Sequence, residues 1–392
     1  MTEGLYKLPE GWRWVRLGEV AKVYSGSSAP QDPRYFEGGE LPFVRVGDLS
    51  SAEGDTIRTT RDYLNNKASE ELRLKRARSG VIVFPKSGAA ILTNARKILG
   101  MDAFIVSHLA AVEVDEQLVE RLWAFRWLQT VDMQAFIENP SYPSLRLTRI
   151  KRIPMPLPPL PEQRRIVARI EELVARIREA RRLRAQARED AERLWQSVLA
   201  DTFPRPGSDL PSGWRWVRLG EVCDILDRLR KPVKKKDRIP GDIPYCGANG
   251  IIDYVDGFTH EGEYVLLAED GGFYGPGAPS AYVMEGRFWA NNHVHIIRGK
   301  NGLLLNQLLR SYLVATDLKP FLTGATRPKL TQRAMFSIPI PLPPLAEQRR
   351  IVAHLEAVQE KIGALKAAQA ETDEHFKRLE QSILEKAFRG EL

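Results

Sequence analysis

Two stretches of the chain place apolar residues at alternating steps of four and three, which is the spacing of helices that pack along one seam. The first series covers residues 166–198 and the second covers residues 351–383. A shift of 185 positions superimposes their apolar first halves, and both series turn polar at the same step, at Arg184 and Gln369. The pattern predicts two long helices that pair as an antiparallel coiled coil, each roughly 60 Å long at ~1.5 Å per residue. Helices that pack separately on a globular core are the alternative.

The size of the residues along the two series fits an antiparallel arrangement. Ala180, Ala187 and Ala191 are small, and they leave room for the larger Phe376 and Leu379 in the other helix. Continued at strict four–three spacing, the seam is predicted to include Leu194 in the first helix and Leu379 in the second.

The segments that flank these helices are repeated almost letter for letter. Gly11–Val20 recurs unchanged as Gly213–Val222, and Ile153–Ala168 recurs as Ile338–Ala353 with two changes. The residues between them, about 21–150 and 223–337, show no such identity. A repeat of this length is too long for a solenoid and predicts two half-molecules related by a pseudo-twofold axis. The shared ends would form one framework used twice around two unlike regions.

The proline-rich part of the repeat cannot be helical, because proline lacks a backbone N–H and its ring clashes with the preceding turn. Residues 153–160 are therefore predicted to be extended. A helix is expected to begin next, with Pro161 tolerated in its first turn and Glu162 favourable at its positive end. Trp12 and Trp14 are the same in both copies, and packing in the shared framework is their expected role, with partner contact as the alternative.

The unlike regions are predicted to be compact α/β or α+β domains with twisted mixed sheets. Residues 81–84 and 264–267 have the composition of buried strands, and residues 286–297 that of two strands joined by a turn. Helices are predicted at residues 119–138 and 303–318. The predicted organisation is a first domain at 1–152, a hinge and helix at 153–202, a second domain at 203–337, and a second hinge and helix at 338–392.

Composition narrows the class of protein. The chain has 392 residues and only two cysteines, which excludes a disulfide scaffold and a four-cysteine zinc site. No apolar stretch approaches the roughly 18 residues needed to cross a bilayer, and the first residues do not form a secretion signal. A cytoplasmic protein without a membrane partner is therefore expected.

The net charge of +8 is compatible with nucleic acid, and one segment concentrates it. Residues 228–238 carry seven basic groups and one acidic group around a proline. Such a run is a poor helix or strand, so an exposed loop that lies along phosphates is one interpretation. A solvated loop with no partner is the other.

The order of these motifs resembles one family. Two unlike regions, each framed by the Gly-Trp segment and by the proline-rich segment with Glu-Gln, look like the specificity subunit of a type I restriction–modification system. The likeness covers nearly the whole chain, and the second unlike region also resembles the family at residues 243–254, 268–272, 286–293 and 323–330. The first departs more, because residues 142–147 keep the leucine but lack the Gly-x-Thr found at 324–326.

The resemblance implies a division of labour. Each unlike region would be a target-recognition domain for one half of a bipartite double-stranded DNA site, and the paired helices would fix the spacer. Two modification subunits would dock on the repeated segments and methylate adenine with S-adenosylmethionine. Restriction subunits would add ATP-dependent and Mg-dependent translocation and cleavage. This chain would hold no catalytic residue, cofactor or metal.

Within that family interpretation, DNA contacts are expected from polar side chains in loops of the unlike regions, some to bases and many to phosphates. The candidates are Lys86, Ser87, Asn94, Arg96, Arg146, Arg230, Lys231, Lys234, Lys235, Asn249, Asp270, Asn292, Arg327 and Lys329.

Other functions are less well supported by the sequence. His293 and His295 with Cys246 could be zinc ligands, although histidines on strands are more often structural. A self-sufficient enzyme lacks a phosphate-binding or cofactor loop, and Asn139–Tyr142 resembles a base-holding tetrad only in part and is predicted to be a turn. A protein scaffold, and the specificity subunit of a fused nuclease–methylase system, remain open alternatives.

Overall fold

A computed structural model describes residues 6–139, 142–324, 326 and 328–392. The chain divides into two compact units. The first contains the described residues up to Arg181 together with Thr372–Leu392, and the second contains Arg182–Glu371. Each unit thus takes the beginning of one long helix and the end of the other.

The first unit is a mixed α/β structure. Its strands are β1 Arg13–Arg16, β2 Ala21–Ser25, β3 Leu41–Val44, β4 Thr56–Ile57, β5 Asp62–Leu64, β6 Arg76–Ala77, β7 Ile82–Pro85, β8 Lys97–Leu99, β9 Ala103–Ile105, β10 Leu109–Val114 and β11 Pro154–Leu157. Its short helices are α1 Leu17–Val20, α2 Val46–Ser51, α3 Asn66–Glu71, α4 Arg121–Thr130 and α5 Leu147–Ile150, with 3-10 turns at Pro33–Tyr35, Ala89–Thr93 and Met133–Phe136.

The first long helix is α6, Leu160–Thr202. The second unit then adds the strands β12 Arg215–Arg218, β13 Cys223–Ile225, β14 Pro240–Gly247, β15 Gly250–Val255, β16 His260–Glu261, β17 Tyr264–Ala268, β18 Ala281–Met284, β19 Arg287–Ala290, β20 Val294–Gly299 and β21 Pro339–Leu342. Its helices are α7 Leu219–Val222, α8 Asn306–Ala315, α9 Gln332–Phe336 and the long α10 Leu345–Phe388, with 3-10 turns at Asp227–Leu229, Lys235–Asp237 and Lys319–Phe321.

The two unlike regions share one strand order, and the first adds a fifth strand, β4, to one of its sheets. The first unit orders its larger sheet β2-β10-β7-β8-β4 and its second sheet β5-β3-β9-β6, and the second unit has β13-β20-β17-β18 and β15-β14-β19-β16. In both units the central pair of the second sheet is parallel, β3 with β9 and β14 with β19, and its neighbours are antiparallel. The predicted mixed sheets are therefore confirmed, and two dissimilar sequences adopt the same arrangement.

Alternation along the central strands explains why each unit has two cores. In β7, Ile82 and Phe84 face the core on the helix side, while Val83 faces the core between the two sheets. In β17, Val265 and Leu267 face the helix side and Leu266 faces the other core. Because successive strand residues point to opposite faces, a fully apolar run is buried on both sides.

In each unit the two repeated segments pair as antiparallel strands, and we call this pair the neck. The neck is β1 with β11 in the first unit and β12 with β21 in the second. Arg13 lies opposite Leu157 in one neck, and Arg215 lies opposite Leu342 in the other. The proline-rich residues are extended, as predicted, and the carbonyl oxygens of Pro154 and Pro156 accept hydrogen bonds from Trp127 and Trp123. The neck brings the two ends of each unlike region together.

Trp14 and Trp216 lie opposite Pro156 and Pro341 of the proline-rich strands, as expected, and the tryptophans also pack against the unlike regions. Trp12 meets Trp123 edge to face at 5.5 Å, and Trp14 meets Trp127 at 6.0 Å. Trp214 and Trp216 lie against the helix-side core of the second unit.

Some predicted elements differ in extent. The helix expected at 119–138 is α4 followed by a separate 3-10 turn, because the chain turns at Val131 and Asp132 starts a new cap. The helix expected at 303–318 is limited to α8. The two strands expected at 286–297 are present as β19 and β20, but they belong to different sheets.

The long helices pair antiparallel within each unit. In the first unit Arg181 on α6 forms an ion pair with Glu380 on α10, with N and O 2.8 Å apart. In the second unit Lys366 pairs with Glu192, and Arg184 donates to the carbonyl oxygen of Gln369. Arg184 and Gln369 are the positions at which both sequence series turn polar, so the polar step of each helix meets that of the other.

The strict four–three seam is wrong at Leu194, Leu365 and Leu379, which are exposed, although Ile383 at the end of the second series is buried as predicted. Leu194 and Leu379 are 54% and 49% exposed, whereas their neighbours Trp195 and Glu380 turn toward the partner helix. A straight helix has 3.6 residues per turn, so a 3.5-residue repeat drifts by about 20° per heptad. In the first helix the buried positions have moved on by one residue at its end, to Trp195 and Leu199.

This displacement predicts different effects for two leucines of the same helix. Leu199 is 1% exposed and lies in the helix-side core of the second unit. Its replacement by alanine should lower the free energy of unfolding by about 2–3 kcal/mol. Leu194→Ala should change it by less than about 0.5 kcal/mol. Urea denaturation of the full chain followed by circular dichroism would measure both. A larger loss for Leu194→Ala would contradict the observed register.

Candidate nucleic-acid interface

Three loop segments meet in the same way in each unit, at what we call the junction. In the first unit it consists of residues 86–87 after β7, His108 before β10, and residues 143–145 before α5. The backbone N–H of Lys86 donates to the carbonyl of His108, and the N–H of Leu145 donates to the carbonyl of Lys86. The junction lies directly after a buried central strand, so a rigid sheet supports it.

The second unit repeats this junction with different side chains. Glu269 and Asp270 follow β17, His293 precedes β20, and residues 328–330 precede α9. The N–H of Glu269 donates to the carbonyl of His293, and the N–H of Leu330 donates to the carbonyl of Glu269. Most of the polar residues predicted to contact DNA in this unit lie in or beside this junction.

Glu269 is the centre of a buried ion-pair network. Its carboxylate, 6% exposed, binds the guanidinium of Arg230 and lies 2.6 Å from Nζ of Lys329. Burial on its own would raise the pKa of Glu269, but the hydrogen bonds from Lys329 and Arg230 outweigh it and hold the pKa below its usual range. One carboxylate therefore anchors both the basic loop, through Arg230, and the segment before α9, through Lys329.

The same network contains His295, one of the proposed zinc ligands, next to two acidic residues. Ligand atoms of Asp227, Glu269 and His295 lie within 4.8 Å of one another. Nδ1 of His295 is 2.6 Å from Asp227, and Nε2 is 2.7 Å from the carbonyl oxygen of Leu330. Both ring nitrogens of His295 therefore already have an oxygen partner within the protein.

Cys246, the third proposed zinc ligand, is not part of this set. It is fully buried, and desolvation raises the pKa of its thiol to about 11. A protonated thiol is a poor ligand and a poor nucleophile. The arrangement around His295 is therefore an ion-pair network that ties loops together.

The basic loop divides into inward and outward residues. The side chain of Arg230 is 16% exposed, and Arg238 binds Asp253 at 2.7 Å and stacks over Tyr245 at 4.1 Å. The hydrogen bond from Arg238 holds the pKa of Asp253 below its usual range. Lys231, Lys234 and Lys235 remain exposed. The exposed lysines fit phosphate contact, whereas Arg230 has an internal role.

The predicted residues of the first unit also divide. Arg96 is 4% exposed and donates to the carbonyl of Val131, and burial lowers its pKa to about 10. Asn94 ends a 3-10 turn with φ of 53°, a conformation that asparagine tolerates, and accepts a hydrogen bond from the N–H of Met133. Both side chains support the fold. Arg146 is exposed and pairs with Glu138 at 3.0 Å.

Ser87 and Asp270 have equivalent roles. The hydroxyl oxygen of Ser87 lies 2.6 Å from Nδ1 of His108, and a carboxylate oxygen of Asp270 lies 2.6 Å from Nδ1 of His293. Asp270 itself is 9% exposed. These two predicted readers hold a histidine, and the histidine is the more exposed member of each pair.

The remaining predicted residues of the second unit lie beside its junction. Asn249, at the turn between β14 and β15, donates to the carbonyl of Gly271 at 3.1 Å. Asn292 is exposed next to His293. Arg327, and residues 140 and 141 of the predicted turn, lie outside the described residues.

Sequence reasoning missed two pairs of residues. Gln163 and Gln348, near the starts of the long helices, are completely buried and make matching hydrogen bonds to the loops before α4 and α8. His108 was not selected, and His293 was considered only as a metal ligand. The signal for both pairs is the shift of 185 residues, which maps Gln163 onto Gln348 and His108 onto His293.

Among the helices of the described residues, none is long and apolar enough to span a membrane.

Comparison with known proteins supports the resemblance drawn from the repeats. The family described as Type I restriction modification DNA specificity domain matches residues 9–187 and 211–372. Each match covers one unlike region with its framing segments. The family therefore accounts for both halves of the chain.

Individual relatives agree. The EcoDI type I restriction enzyme specificity subunit of Escherichia coli is 22% identical over 98% of this chain and 90% of that protein. The MjaIX specificity subunit of Methanocaldococcus jannaschii is 28% identical over 44% of this chain and 39% of that protein. A Haemophilus influenzae relative is 49% identical over 36% of this chain, and the match spans 37% of that relative. The matched part thus spans less than half of the last two proteins.

Solved structures extend the likeness to the whole chain. The HsdS subunit of Thermoanaerobacter tengcongensis is 34% identical with a TM-score of 0.63, and the match covers all of both chains. A chain from work on complex assembly and conformational transition of the type I R-M system is 32% identical with a TM-score of 0.79, covering 99% of this chain and 100% of that one. Sequence motifs, family match and fold together show that this chain belongs to the family of type I restriction–modification DNA specificity subunits.

Proposed function

We propose that this chain is the DNA-recognition subunit of a type I restriction–modification complex. Each unlike region, within the predicted domains 1–152 and 203–337, reads one half of an asymmetric bipartite site. The paired helices set the spacer and dock the modification subunits. The observation that carries this proposal is that one framework and one sheet topology hold two unlike sequences, which suits one binding mode with two specificities.

The chain contributes binding and geometry, and its partners contribute the chemistry. Two modification subunits would use S-adenosylmethionine, and restriction subunits would use ATP and Mg. These reactions act on DNA in the cytoplasm, where we place the chain. The two cysteines fit that role as buried, unreactive thiols, since burial raises the pKa of Cys223 to about 12.

The DNA-facing side of each unit is proposed to be the junction and the loops next to it. In the second unit, exposed Lys231, Lys234 and Lys235 would contact phosphates, while Asn249 and Asn292 would approach base edges. In the first unit, Arg146 and the segment around Lys86 occupy the corresponding place. Arg96 and Arg230 would act indirectly, by holding loops.

Deletion of the gene tests this function. We expect a single asymmetric motif with a fixed spacer to lose N6-methyladenine throughout the genome, because without the reader the modification subunits have no target. Single-molecule base-modification sequencing of strains with and without the gene would measure it. If every methylated motif persists while the modification subunit is expressed, the chain does not direct methylation and a scaffold role would replace this proposal.

A further inference from the structure

The two junctions place a histidine at the same position of the fold, although the regions around them are unlike in sequence. His108 and His293 each immediately precede the strand that lies second in its sheet, β10 next to β2 or β20 next to β13. Each carbonyl accepts the N–H of the first residue after the neighbouring strand, and both distances are 2.9 Å. Leu145 and Leu330, whose N–H groups close the two junctions, are also 185 positions apart.

The side chains of both histidines are oriented in the same way. Nδ1 is held at 2.6 Å by the second residue after the neighbouring strand, by Ser87 in one unit and by Asp270 in the other. His108 is exposed, and the side chain of His293 is 40% exposed. Within the described part of the chain, no hydrogen bond engages Nε2 of either ring. Each unit therefore fixes one ring nitrogen and leaves the other for an external group.

The chemistry of the two holders allows Nε2 to donate. The Ser87 hydroxyl can donate to Nδ1 of His108, which leaves the ring proton on Nε2. The Asp270 carboxylate can only accept, so Nδ1 of His293 donates to it, and Nε2–H is then present in the imidazolium form. An anion at Nε2 would stabilise that form from the other side.

The comparison between the units indicates which group of DNA is bound. The neighbours of the histidines differ, since Lys86 corresponds to Glu269 and Ser144 corresponds to Lys329. Groups that read different sequences are expected to differ between the units. A side chain that is retained at the same position suits a group that every half-site contains, and the phosphate backbone is such a group.

We propose that His108 and His293 donate from Nε2 to a DNA phosphate at equivalent positions of the two half-sites, and so dock each unit in the same orientation. Ser87 and Asp270 are positioning residues that act through these rings. The proposal deepens the DNA-recognition function and rests on it.

Binding measurements on the full chain would test this contact. Once the motif is known from methylation mapping, wild type, His108→Ala and His293→Ala would be titrated with the cognate duplex and with duplexes that each carry one changed base pair. We expect each variant to weaken binding about tenfold, which is typical for one hydrogen bond to a charged group. The factor should be the same for every duplex, because a phosphate contact carries no sequence information.

Three further variants separate a DNA contact from a folding defect. His354→Ala removes an exposed histidine of α10 and should leave affinity unchanged. His108→Gln and His293→Gln keep an N–H donor at similar reach and should recover part of the lost affinity, whereas a purely structural defect would not be rescued in this way. Thermal unfolding of each variant would be recorded alongside.

The remaining outcomes are distinct. Unchanged affinity in both alanine variants would overturn the contact. Loss of discrimination at one base pair would overturn the phosphate assignment and make the histidine a base reader. If methylation mapping finds no motif that depends on this chain, the proposed function fails, independently of the histidines.

Discussion

A chain in which residues 21–152 are replaced by residues 223–337 should direct methylation to a symmetric site and no longer to the original motif. Both segments begin directly after the short helix α1 or α7 and end directly before Ile153 or Ile338. The neck registers on either side match pair for pair, so the second region should fold on the first framework. With two copies of one reading region, both half-sites would be the same.

We expect this exchange to abolish methylation of the original motif completely, because the region that reads one of its half-sites is removed. Base-modification sequencing of a strain that carries only the exchanged chain would show it. The reciprocal chain, with residues 21–152 in both positions, is the matched control and should give the other symmetric site. Persistence of the original asymmetric motif in the exchanged strain would refute the assignment of one half-site to each region.

Replacement of Gln163 or Gln348 by leucine should destabilise the chain more than any single change on the surface of the long helices. The side-chain amide of Gln163 donates to the carbonyls of Leu118 and Pro158, and its oxygen accepts from the N–H of Glu120, all within 3.0 Å. Leucine fills the volume but leaves three backbone groups without this partner, one of them buried and two partly buried. At about 1–3 kcal/mol for the buried group and about 1 kcal/mol for each partly buried one, the expected loss is about 3–5 kcal/mol.

Gln348 makes the same three bonds to Leu303, Pro343 and Leu305. Its replacement by leucine should therefore lower the free energy of unfolding by a similar amount, but in the second unit. Hydrogen exchange would separate them. Gln163→Leu should lower protection of amides in β7 and β10, and Gln348→Leu those in β17 and β20. Gln186→Leu, at an exposed position of α6, is the control and should leave both unaffected. Equal protection in all three variants would show that these bonds contribute little to stability.

The framework was predictable because its signals are local or repeated. Proline chemistry predicts an extended neck, and the four–three spacing predicts the long helices. The seam failed at Leu194 and Leu379, where a fixed spacing cannot follow a straight helix over its full length. The common topology of the unlike regions could not be predicted, since it depends on strand pairings between residues far apart in sequence.

The site was predictable only to the level of loops. Ser87, Asp270 and Lys329 were selected for their position in polar segments, and they do lie in the junctions. The direction of a side chain is set by its neighbours in space, so composition does not distinguish Asp270, which holds a ring, from Asn292, which is exposed. Likewise the buried partner of Arg230, Glu269, is separated from it by 39 residues.

The neck also has a consequence for how the chain reaches its native state during synthesis. β1 and β12 have the same sequence, so either could pair with β11 or with β21 at nearly equal local energy. On a ribosome β1 and β11 are both available before β12 has been made, and domains generally fold as units in that order. Synthesis from the N-terminus thus favours the correct strand pairs, whereas refolding from denaturant would allow the wrong ones. The product of wrong pairing would be two chains that have exchanged neck strands.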